Sequence, residues 1–183
     1  MTQLGFYYDM TICTGCKTCQ IACNDKNDLG VNTLFREVQR FDGGAFPEPW
    51  FYHLSLGCNH CEKPLCMANC PQGAITKDEN GLVVQDHDKC IGCKTCMMSC
   101  PYGAPDYLEE EKKCGKCDGC KELLAAGEEP ACVAACLMRA LKFGDVEELR
   151  KQYGGTADIT VLPASSETNP SLVLNPDPHA VTA

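Results

Sequence analysis

Aromatic side chains are scarce in this chain of 183 residues: they make up 7%, and Trp50 is the only tryptophan. A conventional aromatic core is therefore too small to carry the fold, and another source of folding energy is needed. No run of about 18 apolar residues is present, which excludes a membrane-spanning helix. Met1–Met10 shows neither a basic region leading into an apolar stretch nor a twin arginine, so no export signal of its own is expected. Basic blocks are missing too. Lys and Arg number 16 against 25 Asp and Glu, giving a formal charge of −9. Phosphate binding needs a basic face, so nucleic acid is excluded as a partner. There is no Gly-rich nucleotide loop, no nucleophile arrangement and no HxxxH or Cys-His pattern that would argue for catalysis. The chain thus offers no catalytic residue and no site for a small-molecule substrate.

Cysteine is abundant instead. Of 17 cysteines, 16 fall into four groups of four. Cys13, Cys16, Cys19 and Cys23 read C-x2-C-x2-C-x3-C, and Cys90, Cys93, Cys96 and Cys100 repeat that spacing. Cys58, Cys61, Cys66, Cys70 and Cys117, Cys120, Cys132, Cys136 are looser. The regular run is the ligand pattern of bacterial-type [4Fe–4S] ferredoxins. Four quartets imply four [4Fe–4S] clusters and a conductor of single electrons. A disulfide scaffold is the weaker reading, because the count is odd and an export signal is lacking. Zinc also takes Cys-x2-Cys pairs, but a repeated triplet with a fourth cysteine four residues on fits a cubane better. Thiolate sites couple metal binding to folding, so the apo chain is expected to be largely unfolded. Four oxidised clusters take the formal charge to roughly −17.

The repeat sets the architecture. CTGCKTCQIAC and CIGCKTCMMSC agree at the glycine and lysine as well as the cysteines. Gly15 and Gly92 lack a Cβ, so the backbone can curl close to a bulky cube. Lys17 and Lys94, between the second and third cysteines, read mainly as surface charges. Ala74–Lys77 and Leu82–Gln85 read as strands about an Asn80-Gly81 turn. That hairpin joins the second and third groups into an inner ferredoxin unit, residues 57–105. Leu4–Asp9 and Leu141–Phe143 are outer strands of a second unit, residues 1–23 plus 106–155, in which the first is inserted. Segment 24–56 is an insertion whose strands are Phe35–Phe41 and Trp50–Leu56. Asp145–Tyr153 is a short helix. Residues 156–183 form an extended tail whose apolar stretches, Val161-Leu162 and Leu172-Val173-Leu174, lie on the body or on a partner. The fold class is α+β: two nested 2[4Fe–4S] ferredoxin-like units, an inserted hairpin and an extended tail.

In a two-cluster unit the fourth cysteine of one run binds the other cluster. Nesting then assigns Cys13, Cys16, Cys19 and Cys136 to cluster one, and Cys58, Cys61, Cys66 and Cys100 to cluster two. Cluster three takes Cys90, Cys93, Cys96 and Cys70; cluster four takes Cys117, Cys120, Cys132 and Cys23. Cys114 is left over. It reads as a free thiol in a loop, or as a replacement for Cys132, since Cys114, Cys117 and Cys120 also repeat C-x2-C-x2-C. His53, His60, His87 and His179 read as surface or loop residues, with His60 placed to hydrogen-bond near a cluster. Met97 and Met98 read as packing residues.

GFYYDMTICTGCKTCQIAC, SLGCNHCEKPLCMANCPQGA, KCIGCKTCMMSCPYGAP, KCDGC and PACVAACLMRALKFG closely resemble the four-cluster iron–sulfur subunits of the dimethyl sulfoxide reductase family of molybdopterin oxidoreductases. The resemblance covers residues 4–155. It implies a catalytic partner with a molybdenum or tungsten bis-pterin cofactor and, in many members, a membrane anchor that oxidises quinol. It implies the cross-pairing above, including Cys117, Cys120, Cys132 and Cys136. Members active on nitrate carry tryptophan at the position of Cys93 and a [3Fe–4S] cluster; cysteine here implies four cubanes. Cys114 is extra, Leu137 stands where proline often follows the last cysteine, and segment 24–57 is shorter than in many members. The expected role is an electron relay, peripheral at the membrane on a side left open, since such subunits can be exported folded with a twin-arginine partner. The alternative is a free polyferredoxin.

Overall fold

The computed structural model describes residues 2–181. Its elements are β1 (Leu4–Asp9), α1 (Thr18–Lys26), β2 (Arg36–Gly43), β3 (Trp50–Gly57), α2 (Leu65–Ala68), β4 (Ile75–Lys77), β5 (Val83–Gln85), α3 (Thr95–Ser99), β6 (Asp106–Leu108), β7 (Lys113–Gly115), α4 (Lys121–Ala125), α5 (Ala131–Ala134), β8 (Leu141–Asp145), α6 (Val146–Tyr153) and β9 (Leu172–Asn175).

β1 is the centre of a three-stranded sheet in the order β8-β1-β9. It runs antiparallel to β8, with Phe6 opposite Phe143, and parallel to β9, with Phe6 opposite Leu172. A central strand covered on both faces is apolar almost throughout, as Gly5-Phe6-Tyr7-Tyr8 is. Phe6 and Tyr8 enter the main core with Leu141, Leu172 and Leu174. Tyr7 faces the other way, onto Val146, Leu149 and Val173. α6 supplies that second layer. The Asp145 carboxylate accepts from the Glu147 and Glu148 N–H groups at 3.0 and 3.1 Å, and Gly154 ends the helix at φ 66°. Such a cap contributes about 1 kcal/mol.

The tail is part of this body. Leu172, Val173 and Leu174 are buried, worth roughly 1.5–3 kcal/mol each. Upstream of β9 the tail straps the loop after Cys58: Glu62 N–H donates to Asn169 O at 2.8 Å, Lys63 N–H to Thr168 O at 2.9 Å, and Ser171 N–H to Asn59 O at 2.9 Å.

Three hairpins complete the chain. β2 and β3 pair from Arg36–Gly57 to Gly43–Trp50, burying Val38, Tyr52 and Leu54 in the main core. β4 and β5 turn through Asp78–Gly81; Asp78 Oδ1 accepts from Asn80 and Leu82 N–H, and Gly81 sits at φ 74°. β6 and β7 also pair antiparallel, which corrects the expectation of a loop around Cys114. No helix among the described residues is long and apolar enough to cross a membrane.

Candidate iron–sulfur centre

The four cysteine groups share one local design. Each begins with a Cys-x2-Cys loop whose residue before the second cysteine has positive φ: Gly15 at 69°, His60 at 44°, Gly92 at 68° and Gly119 at 75°. Each then places a cysteine as the second residue of a helix: Cys19 in α1, Cys66 in α2, Cys96 in α3 and Cys132 in α5. The first N–H groups of a helix have no intrahelical acceptor, so donors cluster where these sulfurs sit. In the regular runs Lys17 and Lys94 take φ 62° and 61°. Side chains are uncommon there, so these lysines mark a backbone bend as well as a surface charge.

Donors reach the sulfurs directly. Gly15 N–H lies 3.4 Å from Cys13 Sγ, Gly119 N–H 3.3 Å from Cys117 Sγ, and Ala74 N–H 3.3 Å from Cys70 Sγ. The Thr18 and Thr95 hydroxyls lie 3.3 Å from Cys16 and Cys93 Sγ. These hydroxyls hold the exposed Cys16 and Cys93 thiols below the ordinary range. The enclosed thiols move the other way. Burial, reinforced by a neighbouring sulfur, pushes Cys66 and Cys96 up to about 12 and Cys61 up to about 11.

The sulfurs converge from different groups. Cys58, Cys61 and Cys66 line one pocket with Cys100, beside Pro64, Pro101 and Tyr102. Cys90, Cys93 and Cys96 line another with Cys70. Among the outer groups, Cys19 neighbours Cys132 and Cys136, and Cys13 and Cys136 pack on the same core. Burial and then Cys132 push Cys23 up to about 12, with Cys120 also beside it. Cys114 stands apart from the shared design. It lies on β7 with 1% exposure and lines the pocket of Cys90, Cys93 and Cys96. It is thus a buried strand residue, and it is placed at the third group, away from Cys132.

A family description of a 4Fe–4S dicluster domain matches residues 49–146, and a 4Fe–4S binding domain matches residues 10–26. Over 187 residues the sequence is 46% identical to the B chain of anaerobic dimethyl sulfoxide reductase from Escherichia coli, covering 98% of this protein and 91% of the relative. The probable anaerobic dimethyl sulfoxide reductase chain YnfG of the same organism matches at the same identity and coverage. The thiosulfate reductase electron transfer subunit PhsB of Salmonella typhi is 35% identical over 80% of this protein and 78% of its own length. This protein belongs to the dimethyl sulfoxide reductase family of iron–sulfur subunits. Its cofactors are [4Fe–4S] clusters.

Whether the residues of this family member suit an anionic cluster is tested by two buried cations. Arg36 is 4% exposed and Lys116 is 6% exposed. Among the described residues neither pairs with a carboxylate, and a buried unpaired charge is costly. Their neighbours are sulfurs. Although burial opposes its charge, Cys132, Cys117, Cys19 and Cys23 raise the Arg36 guanidinium further. Lys116 is likewise opposed by burial and held charged by Cys58, Cys117 and Cys66. Arg36 donates to Ser55 Oγ at 3.2 Å, and Ser55 Oγ lies 3.4 Å from Cys19 Sγ. Lys116 donates to the carbonyls of Val83 and Cys117. Negative clusters are the missing counter-charge, so the residues fit the group. Among the described residues no three His, Cys, Asp or Glu side chains are grouped as ligands of one ion.

Arg36, Lys116 and Ser55 were given no role from the sequence. Lys116 opens the run KCDGC and Ser55 the run SLGCNHC, so both border cysteine motifs; Arg36 carries no such signal. His60 is a loop residue beside a cysteine sulfur, as expected, with Nε2 3.8 Å from Cys117 Sγ, but it is 0% exposed: the strapped loop turns its ring inward, where burial and then Lys116, Arg36 and Lys77 hold it neutral. One expectation needs correcting. Met98 is 79% exposed, because α3 turns that face outward, and only Met97 packs onto the core around Cys66. His87 is half-buried and His179 exposed, and they lie beside Glu111 and Asp177; the His53 ring lies against Gly15.

Proposed function

We propose that the protein relays single electrons through four [4Fe–4S] clusters in the order one, four, two, three. The ligand sets are Cys13, Cys16, Cys19, Cys136; Cys117, Cys120, Cys132, Cys23; Cys58, Cys61, Cys66, Cys100; and Cys90, Cys93, Cys96, Cys70. The observation that carries this reading is the succession of neighbouring sulfurs. Cys19 lies beside Cys132, Cys117 beside Cys58, and Cys66 beside Cys96. Each link joins two different ligand sets, so the sets follow one another in a line.

When bound, each cluster accepts and passes on one electron. The protein's own residues do the rest. The thiolates fix each cluster in place. Arg36, between sets one and four, and Lys116, between sets four and two, offset negative charge where it is most crowded. The positive-φ loops bring backbone N–H groups to the sulfurs, and hydrogen bonds to sulfur and burial are among the determinants of potential. The outer and inner pairs form two nested ferredoxin-like units, residues 1–23 plus 106–155 and residues 57–105, with 24–56 inserted and the described part of the tail, 156–181, strapped across them; residues 1, 182 and 183 of these units lie outside the described residues.

The relatives' names, the B chain of a reductase and an electron transfer subunit, place those proteins in larger assemblies. By that likeness this protein is a non-catalytic subunit, serving a molybdopterin catalytic subunit that reduces a sulfoxide or a related acceptor. Its electrons come from a quinol-oxidising membrane anchor, which holds the complex at the membrane. The test is metal analysis of the native complex purified anaerobically. About sixteen irons per subunit with about one molybdenum or tungsten is expected. About sixteen irons without either metal in the intact native assembly points to a free polyferredoxin. Zinc in place of iron overturns the reading.

A further inference from the structure

We infer that His60 is a positioning residue: its Nε2–H donates to the Cys117 thiolate and raises the potential of the cluster that Cys117 binds. The inference rests on the four-cluster reading above. His60 occupies the loop position that is glycine in the other three groups, at φ 44° and with 0% exposure. A side chain in the left-handed region is uncommon, and when it is also buried it calls for a compensating contact.

The hydrogen bonds fix which ring nitrogen carries the proton. Val83 N–H donates to His60 Nδ1 at 3.0 Å, so Nδ1 is an acceptor and the proton of the neutral ring sits on Nε2. That Nε2 is 3.8 Å from Cys117 Sγ. The ring has little freedom to turn away. Phe6 stacks on it with centroids 6.4 Å apart, and the His60 carbonyl accepts from Ser171 Oγ at 2.9 Å and Gln3 Nε2 at 3.3 Å. The loop that carries Cys58 and Cys61 thus delivers a donor to a sulfur of another ligand set, at the junction between clusters two and four.

A donor to a cluster sulfur stabilises the reduced form more than the oxidised form, because reduction adds negative charge. Lys116 sits at the same junction as a fixed charge. Substitutions at His60 therefore have to separate donor from shape. H60L removes the donor and keeps bulk. H60G removes it and matches the other three loops, which covers the case in which leucine does not fold. H60Q restores an N–H near the place of Nε2.

The experiment is an EPR-monitored redox titration of the complete complex, with Cys117→Ser used to identify the signal of its cluster. In H60L and H60G the reduced-to-oxidised ratio of that signal at a fixed potential should fall about tenfold, a downward shift of about 59 mV for one electron. The other three signals should stay in place, and H60Q should recover most of the shift. An unmoved potential, an equal shift in H60Q, or a shift confined to the cluster of Cys58 and Cys61 overturns the inference. Full iron in Cys117→Ser overturns the ligand reading beneath it, which is a different failure.

Discussion

The runs Cys13–Cys23 and Cys90–Cys100 fold alike up to their third cysteine and then part. Gly15 and Gly92, Lys17 and Lys94, and the Thr18 and Thr95 hydroxyls take matching positions, with φ values that agree within a degree at the glycine and lysine pairs. Beyond that point α1 continues to Lys26 with Cys23 inside it, whereas α3 stops at Ser99 and Cys100 is extended at φ −83° and ψ 115°. Pro101 is the cause, since a proline disfavours the helical region for the residue before it. The shared motif therefore dictates the cradle, and the next residue dictates how the fourth cysteine leaves it. The walls differ as well. A Cβ at Gly15 would meet the edge of the His53 ring, and one at Gly92 would meet the Lys112 carbonyl.

Breaking the cradle should have the largest effect, and the walls should make it unequal. Gly92→Ala sets a methyl against backbone that has no room to give, at a positive φ. Iron per subunit should fall by about a quarter, the loss of one cluster. Gly15→Ala meets a side chain that can rotate, so it should keep its iron and lose only about 1 kcal/mol in thermal unfolding. Equal outcomes would show that the walls do not matter. One step smaller, Cys16→Ser and Cys93→Ser should each cost about one iron and give a [3Fe–4S] signal by EPR. Cys114→Ser, in the same pocket as Cys93, should keep full iron; a loss there would make Cys114 a ligand.

What the sequence made legible follows the same division. The Cys-x2-Cys loops, the Asn80-Gly81 turn and the strand Leu4–Asp9 announce themselves through local chemistry, and the structure shows each of them. Cys114 was not legible, because β6 and β7 are three-residue strands paired across a short loop, too short to show a period. His60 was legible as a hydrogen-bonding residue near a cluster, but its burial and that of Arg36 were not. That burial comes from contacts with groups far along the sequence, Arg36 with Ser55 and His60 with Val83 and Ser171, and no local pattern encodes it. The tail's apolar stretch was visible, but its partner strand β1 lies at the opposite end of the sequence.

Exchanging the two exits gives the sharpest test. Asn24 follows Cys23 as Pro101 follows Cys100. Asn24→Pro imposes the second exit on the first run, in the interior of α1. It removes a helical hydrogen bond and clashes with the preceding turn, at a cost of about 3 kcal/mol, read as lower thermal stability with the thiol of Cys23 displaced. The reverse change, Pro101→Ala, adds no clash. It frees Cys100 to become helical and enlarges the unfolded ensemble, so stability should fall by only about 0.4–1 kcal/mol. Because Cys100 shares its pocket with Cys58, Cys61 and Cys66, the EPR signal of that cluster alone should broaden. A full loss of that cluster on Pro101→Ala would mean that the extended exit, more than the four-sulfur pocket, holds Cys100 in place.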